Sequence, residues 1–356
     1  VRIAISTGGG DAPGLNAVIR GVVLGAAHRG WECFGIRRGY GGLLGTDEVV
    51  PLGPNEVRGI THLGGTILGT TNRGDPFRWR ERGPGGEWTE RDRTDEVVQN
   101  FRARGLDALV AIGGDGSLAI ARRLQAKGIP LVGVPKTIDN DVGGTVATFG
   151  FDTAVAVATE AIDRLHSTAE SHERVMVVEV MGRHAGFIAL HAGLAGSADV
   201  ILIPEIPFAV EKVCEKIAAR EREGRHFSIV VAAEGATPRG GSETYQDAAT
   251  QRLGGIAERL AREIEQRTGK ETRSLVLGHL QRGGSPTTFD RLLGLRFGAA
   301  AVRLVAEGQW GCMVALTPPR GVAAVPLEQA LAQPRRVQLD SDAVATARDL
   351  GTSFGD

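Results

Sequence analysis

Cysteine is scarce in this chain. Cys33, Cys214 and Cys312 are the only three in 356 residues. They lie far apart and lack the close spacing of a metal site, which excludes a disulfide scaffold and reads as reduced core thiols in a cytoplasmic protein. An excess of either charge is also missing, with 41 Lys and Arg against 42 Asp and Glu. No whole-molecule field therefore draws the chain to nucleic acid or to a membrane, and any anionic ligand must be held by local arginines. No apolar run reaches spanning length, and no secretory signal, lipidation motif or short-period repeat stands out. Glycine, in contrast, is abundant at 51 residues. Many glycines fall just after apolar runs, the pattern of phosphate-cradling turns rather than of low-complexity linkers. A chain of this length, 42% hydrophobic and 23% charged, suffices for two α/β domains with two sizeable cores.

Strand-like and helix-like stretches alternate. Val1–Ser6, Trp31–Ile36, Ala108–Ile112 and Ile129–Val134 read as strands in the first half. Leu15–Ala27 and Ser117–Ala126 read as helices between them. Asp152 is a plausible N-cap for a helix to about Leu165, where Val155, Ile162 and Leu165 recur at helical spacing. Val175–Val180, Val200–Ile203, Ser228–Ala232 and Ser274–Leu277 are further strands, and Ala185–Leu194, Val210–Glu221, Gly255–Glu265 and Asp290–Ala306 further helices. The alternation predicts an α/β protein with parallel sheets and helices on both faces. Asn72–Asp95 lacks apolar periodicity and reads as a long loop. The tail from about Thr317 is less patterned, with Pro318, Pro319, Pro326 and Pro334.

Several segments carry chemistry. Pro135-Lys136-Thr137-Ile138-Asp139-Asn140-Asp141 follows a strand. Its carboxylates would stand at the carboxyl end of that strand, where open α/β sheets bind ligands. Asp139 and Asp141, with a hydroxyl and a lysine beside them, suit removal of an alcohol proton next to a polyanion. The plainer reading is a polar exit from a strand, since Asp and Asn favour turns. Thr7–Gly14 and Ile112–Ser117 are Gly-rich strand-to-helix turns, able to bring backbone N–H groups close to an anion. Each alone could be a tight βα turn. Asp115 beside phosphates would be repulsive unless a cation such as Mg²⁺ intervened. Arginines lie near strand ends in His172-Glu173-Arg174, Met181-Gly182-Arg183-His184, Arg273 and His279-Leu280-Gln281-Arg282. Singly each suits a solvated surface, and together they suit bidentate phosphate capture. Glu234 ends an apolar strand and could accept hydrogen bonds from sugar hydroxyls.

Thr7–Gly14, Gly113–Ser117, Pro135–Asp141, Met181–Arg183 and His279–Gly284 together resemble the phosphofructokinase family, in order and spacing, from residue 2 to about residue 317. The resemblance implies two Rossmann-like three-layer domains with mostly parallel sheets. A donor domain would comprise 1–150 with about 280–330, and a fructose 6-phosphate domain 151–279 with about 331–356. It implies transfer of a phosphoryl group from ATP to the 1-hydroxyl of fructose 6-phosphate, giving fructose 1,6-bisphosphate and ADP. Asp139 would be the general base, with Thr137, Asp141 and Arg183 as catalytic companions. Asp115 would be the Mg²⁺ carboxylate. Gly10, Gly114, Gly116 and Ser117 would cradle the donor phosphates, with Tyr40 near the adenine and Arg73 on the donor loop, which carries one extra residue. Lys136, Ile138, Met181, Gly182, Glu234, His279 and Arg282 would join Thr137, Asp139 and Arg183 around the sugar phosphate. Arg174 and Arg273 match arginines that reach the site from a neighbouring subunit, which implies a homodimer or homotetramer with shared sites.

Departures from the family bear on donor and control. Leu24 stands where a second effector arginine would join Arg20, and His166 where another is expected. Control by ADP or phosphoenolpyruvate is therefore not expected. Lys136 matches pyrophosphate-dependent relatives, whereas Gly116 stands where those relatives carry an aspartate. A pyrophosphate-dependent enzyme is thus the alternative to an ATP-dependent one. A non-catalytic sugar-phosphate or nucleotide sensor on the same fold would be marked by loss of the base, and Asp139 is intact.

Overall fold

Runs of Val, Ile and Ala form strands buried on both faces, as parallel sheets covered by helices require. In the computed structural model, which describes residues 1–83, 85–247, 252–319 and 321–356, the chain begins with β1 (Arg2–Thr7), α1 (Leu15–Ala27), β2 (Glu32–Ile36) and β3 (Val49–Leu52). It continues through β4 (Trp79–Arg82), β5 (Trp88–Arg91), α2 (Thr94–Ala103), β6 (Ala108–Gly113), α3 (Asp115–Ala126), β7 (Leu131–Thr137) and β8 (Phe149–Gly150). Then come α4 (Phe151–His172), β9 (Val175–Val180), α5 (Phe187–Ala195), β10 (Val200–Leu202), α6 (Val210–Arg222) and β11 (Ser228–Ala233). β12 (Tyr245–Asp247), β13 (Arg252–Leu253), α7 (Ile256–Thr268) and β14 (Thr272–Val276) follow. The last elements are α8 (Thr288–Ala306), β15 (Cys312–Thr317), β16 (Gly321–Pro326), α9 (Leu327–Ala330) and α10 (Asp342–Asp349). Among the described residues no helix is long and apolar enough to cross a membrane.

Contacts divide the chain into two units. The first comprises Val1–Ile138, Val142–Asp152 and Arg282–Pro334, and the second Asp139–Asp141, Thr153–Gln281 and Arg335–Asp356. The first unit holds a sheet in the order β16-β15-β7-β6-β1-β2-β3, with β8 on β7. Its interior pairs are parallel, and its two outer pairs, β2–β3 and β15–β16, are antiparallel. One face packs on α1 and α8, the other on α2 and α3. Gly298 permits the close crossing of α1 and α8, because a Cβ there would stand 2.4 Å from the Val18 carbonyl oxygen. The second unit holds a wholly parallel sheet in the order β10-β11-β9-β14. Helices α6 and α7 share one core with it, and α5 packs on β10 and β11.

Several expectations need correction. Asn72–Asp95 is not a plain loop. It contains a 3-10 turn at Pro76–Arg78 and the β4–β5 hairpin, and α2 begins at Thr94. The hairpin carries an Arg80–Glu90 ion pair at 3.8 Å and an Arg80–Trp88 stack at 5.9 Å, and only Trp79 packs against the core among its apolar residues. A search for apolar alternation cannot see such a ribbon. Strand β3 was hidden by Pro51, which is tolerated because β3 is an edge strand. The tail beyond Thr317 forms β16 and α10. Asp152 does not cap α4 but lies in its first turn, where its Oδ2 accepts from the Thr287 hydroxyl at 2.6 Å. That helix runs on to His172.

The second unit buries the ion pair Arg220–Asp199, at 2.5 Å with side chains 9% and 10% exposed. Asp199 also accepts the Ile229 amide, and Arg220 donates to Ser228 Oγ and the Phe227 carbonyl. Arg220→Ala leaves the Asp199 carboxylate buried without its cation. The expected cost is about 3–5 kcal/mol, read as a lower urea midpoint at unchanged slope. A change below about 1 kcal/mol would mean that water reaches the carboxylate and the pair behaves as a surface one.

Candidate active site

Two turns meet in the first unit. At the end of β1, the Gly8 amide donates to the Ile112 carbonyl at 2.9 Å. Gly9 then turns at φ +78°, a left-handed conformation that suits glycine. The Gly9 amide donates to the Thr71 carbonyl at 3.2 Å, and the Thr70 hydroxyl donates to the Gly9 carbonyl at 2.6 Å. Residues 66–71 thus brace the first turn. The second turn leaves β6 through Gly113 and Gly114, and α3 begins at Asp115, two residues before the helix start read from the sequence. Gly116 and Ser117 therefore lie in the first helical turn, where free N–H groups and the helix dipole favour an anion. Ser117 sits against both turns. A Cβ on Gly8 would come within 2.8 Å of its Oγ, and one on Gly113 within 2.3 Å of its Cβ.

Strand β7 extends through Pro135, Lys136 and Thr137. Lys136 is only 3% exposed, and its ammonium donates to the Gly10 carbonyl. A buried cation thus lies at the first Gly-rich turn. Arg282 reaches the same turn: its Nη1 donates to the Asp11 carbonyl at 3.1 Å and would meet a Cβ on Gly10 at 3.1 Å. Gly116 is different, since a Cβ there would meet nothing within 4 Å.

The second unit gathers carboxylates and amides around residues 181–184. Gly182 and Arg183, directly after β9, have φ of +144° and +52°. Glu234, directly after β11, accepts the Gly182 amide at 3.2 Å and the Arg183 amide at 2.9 Å through Oε1. Burial pushes the Glu234 carboxyl up, and the charges of Asp139 and Glu179 add to this, against the pull of the two amides. His184 Nδ1 and Glu243 Oε1 are 2.7 Å apart. Glu179 is 3% exposed and accepts the Gly255 and Ala257 amides at the start of α7. Asp139 and Asn140, each 3% exposed, belong to this unit too, and Asn140 adopts φ +56°.

Residues 2–305 match the phosphofructokinase family. The chain belongs to that family. A phosphofructokinase of Chloroflexus aurantiacus, named ATP-dependent 6-phosphofructokinase, is 56% identical over 355 residues, covering 100% of this chain and 98% of its own. A pyrophosphate–fructose 6-phosphate 1-phosphotransferase of Amycolatopsis mediterranei is 51% identical over 346 residues, covering 96% of this chain and 97% of its own. The solved phosphofructokinase of Pichia pastoris in the T-state superimposes with a TM-score of 0.80 at 30% identity over 99% of this chain, which spans 37% of the longer fungal chain.

The structure assembles some of the residues expected for a phosphofructokinase site and separates others. Gly10, Gly114, Ser117 and Lys136 gather at the two turns with Asp115, which is exposed at the start of α3. Arg282, expected with the sugar-phosphate residues, belongs to the first unit, where it reaches the Gly10–Asp11 turn. Tyr40 is 7% exposed inside the core on the α2–α3 face, and burial, then Asp75, pushes its hydroxyl up. Little of its ring faces outward for an adenine. Arg73 is exposed, held by its amide at Thr71 Oγ1. Met181, Gly182, Arg183 and Glu234 form one loop system, and His279 is exposed on the 3-10 turn after β14. Arg174 and Arg273 lie elsewhere, at the amino ends of β9 and β14, both paired with Glu271 at 2.8 and 2.5 Å. The length of β9 separates Arg174 from Arg183 by roughly 20 Å at about 3.3 Å per residue. Thr70, Thr71, Glu179 and Glu243 were missed, because their partners are 59 or more positions away along the chain. Among the described residues no three His, Cys, Asp or Glu side chains are grouped to hold a metal. A single exposed carboxylate, Asp115, fits Mg²⁺, which is usually bound through one or two carboxylates plus substrate phosphates and water.

Proposed function

We propose that the chain is a 6-phosphofructokinase that transfers the γ-phosphoryl group of Mg-ATP to the 1-hydroxyl of fructose 6-phosphate. The observation that carries this reading is the meeting of two Gly-rich turns, a helix start and the buried Lys136 ammonium, an arrangement built to hold a polyphosphate. The first unit binds the donor: amides of Gly10, Gly114, Gly116 and Ser117 receive its phosphates, and Lys136 and Arg282 supply countercharge. Mg²⁺, held through Asp115, neutralises donor phosphate charge when bound. The second unit binds the sugar phosphate through Met181, Arg183, Glu234 and His279. Asp139 accepts the 1-hydroxyl proton as general base, flanked by Thr137 and Asp141. Loose phosphoryl transfer needs such positioning and charge neutralisation more than covalent help. Cytoplasmic placement suits both the substrates and three unpaired cysteines. A coupled assay with fructose 6-phosphate, run once with Mg-ATP and once with Mg-pyrophosphate, tests the assignment. No turnover with either would sink it. The pyrophosphate reading is favoured by Lys136 and by the Amycolatopsis relative.

Arg174 and Arg273 lie at the end of their sheet away from residues 181–183, so they serve the 6-phosphate site of an adjacent subunit. Inactive Asp139→Asn chains mixed with inactive Arg174→Ala chains should therefore regain activity on subunit exchange, each hybrid interface carrying one intact site. No recovery, with mixing verified by mass, would place each whole site within one chain.

Control by ADP or phosphoenolpyruvate should be weak. Arg20 already donates to the Val57 carbonyl at 2.7 Å, Leu24 packs against the core, and His166 Nε2 pairs with the Gly196 carbonyl at 2.7 Å. None offers a free bidentate grip on phosphate. Fructose 6-phosphate saturation curves with and without each effector check this. A shift of about tenfold or more, worth about 1.4 kcal/mol of coupling, would reveal another effector site.

A further inference from the structure

We propose that Arg335 is a positioning residue for the Asp139 segment, acting through the backbone carbonyls of Asn140 and Asp141. The proposal rests on the reading of Asp139 as general base. Residues 139–141 leave β7 and group with the second unit, and so does the chain from Arg335 onward. The two stretches are joined directly. The Arg335 amide donates to the Asp141 carbonyl at 2.7 Å, and its Nη1 stands 3.5 Å from the Asn140 carbonyl oxygen.

The guanidinium is itself held in place. Two residues on, the Val337 amide donates to Glu205 Oε1 at 2.9 Å. The same carboxylate accepts the Gly186 amide at 3.1 Å, immediately before Phe187. The Arg335 guanidinium then lies 4.7 Å from the centroid of the Phe187 ring, within cation–π range. Glu205 thus fixes both the segment that carries Arg335 and the helix start on which it stacks.

What this cation controls is a strained turn. Asn140 is left-handed at φ +56°, a conformation that side chains other than glycine adopt at some cost. A cation facing the Asn140 carbonyl favours one orientation of the Asn140–Asp141 peptide, and with it the left-handed backbone that Asn140 holds. Asp139 is buried at 3% exposure directly before this turn, so the backbone of Asn140 limits where its carboxylate can point. A misplacement near 1 Å costs about 10²-fold in rate. Arginine suits the task because it stays charged even when half-buried and offers a planar face to an aromatic ring.

The test uses the full chain and two variants. Arg335→Met keeps an unbranched stem over Phe187 and removes the charge, whereas Arg335→Lys keeps a charge. Arg335→Met should lower kcat by about 10–100-fold with a smaller change in the KM for fructose 6-phosphate. Arg335→Lys should recover much of the lost kcat. Amide exchange followed by mass spectrometry, without substrate, should be faster in the peptide spanning 139–142 of Arg335→Met and unchanged in β9 and β11. A wild-type kcat, an effect confined to KM, or unchanged exchange at 139–142 would each overturn the proposal. If Arg335→Met does not fold, Arg335→Lys decides on exchange alone: its shorter reach to the Asn140 carbonyl should speed exchange at 139–142, and unchanged exchange there would overturn the proposal. Inactivity of the wild type with both donors would instead overturn the functional reading, and the exchange experiment would still test the hold on 139–141.

Discussion

Asp139→Asn should lower turnover by about 10²–10⁴-fold, the usual worth of a positioned general base, while the fold and the KM for fructose 6-phosphate change little. Asparagine nearly matches aspartate in shape, so the buried position two residues beyond β7 keeps its packing. The amide, however, cannot take the hydroxyl proton. A second consequence follows from the charge that Asp139 places near Glu234. That charge adds to the burial that pushes the Glu234 carboxyl up, so its removal should lessen the push. The check is steady-state kcat and KM beside a thermal melt. Turnover near the wild-type value would remove Asp139 from its role.

Gly116→Asp should abolish use of ATP without harming the fold. The new Cβ would meet nothing within 4 Å. A carboxylate in the first turn of α3 also complements the helix dipole, worth about 0.3–1 kcal/mol of stability. Any loss is therefore functional. The added charge would stand where the donor's α-phosphate approaches the helix start, and like charges about 4 Å apart repel by roughly 4 kcal/mol near a protein surface. By its charge alone Lys136 does not choose between the donors, since its ammonium at Gly10 can serve either, and it favours pyrophosphate only through its match to the relatives that use it. The measurement is kcat/KM with Mg-ATP and with Mg-pyrophosphate for both proteins. Retained efficiency with ATP in a folded variant would refute the argument. Wild-type turnover with pyrophosphate alone would make Lys136 the better guide to the donor.

Much of the architecture was readable because parallel strands covered on both faces appear as unbroken apolar runs punctuated by glycine. Ala108–Gly113 and Val175–Val180 are of this kind, each buried at every position. Boundaries were less readable. α3 starts at Asp115 because Gly114, in an extended conformation, ends the turn two residues earlier than the glycines suggest. The hairpin of Trp79–Arg82 and Trp88–Arg91 was invisible because its cross-strand pairs join charges and an exposed ring. At the site, residue types signalled the chemistry, but partners came from distant positions. Nothing near Arg282 in the chain announces the Asp11 carbonyl, 271 positions away. Likewise Glu234 looked like an acceptor for a ligand, and its Oε1 is occupied by two amides of the loop it supports.

The path of the chain has a consequence for synthesis on the ribosome. The first sheet is not complete at the end of β7, since β15 pairs with β7 at Val132 and Gly133 and β16 then pairs with β15. Translation from residue 137 to residue 312 takes about 9–35 s at roughly 5–20 residues per second. Over that interval the nascent chain carries a strand as apolar as Leu131–Val134 with an unsatisfied edge, a template for pairing with another chain. The second unit meanwhile has most of its residues available and can fold before the first closes. Slowing elongation downstream of residue 137 should therefore favour aggregation of nascent chains, and a holdase that shields extended segments should matter most within that window.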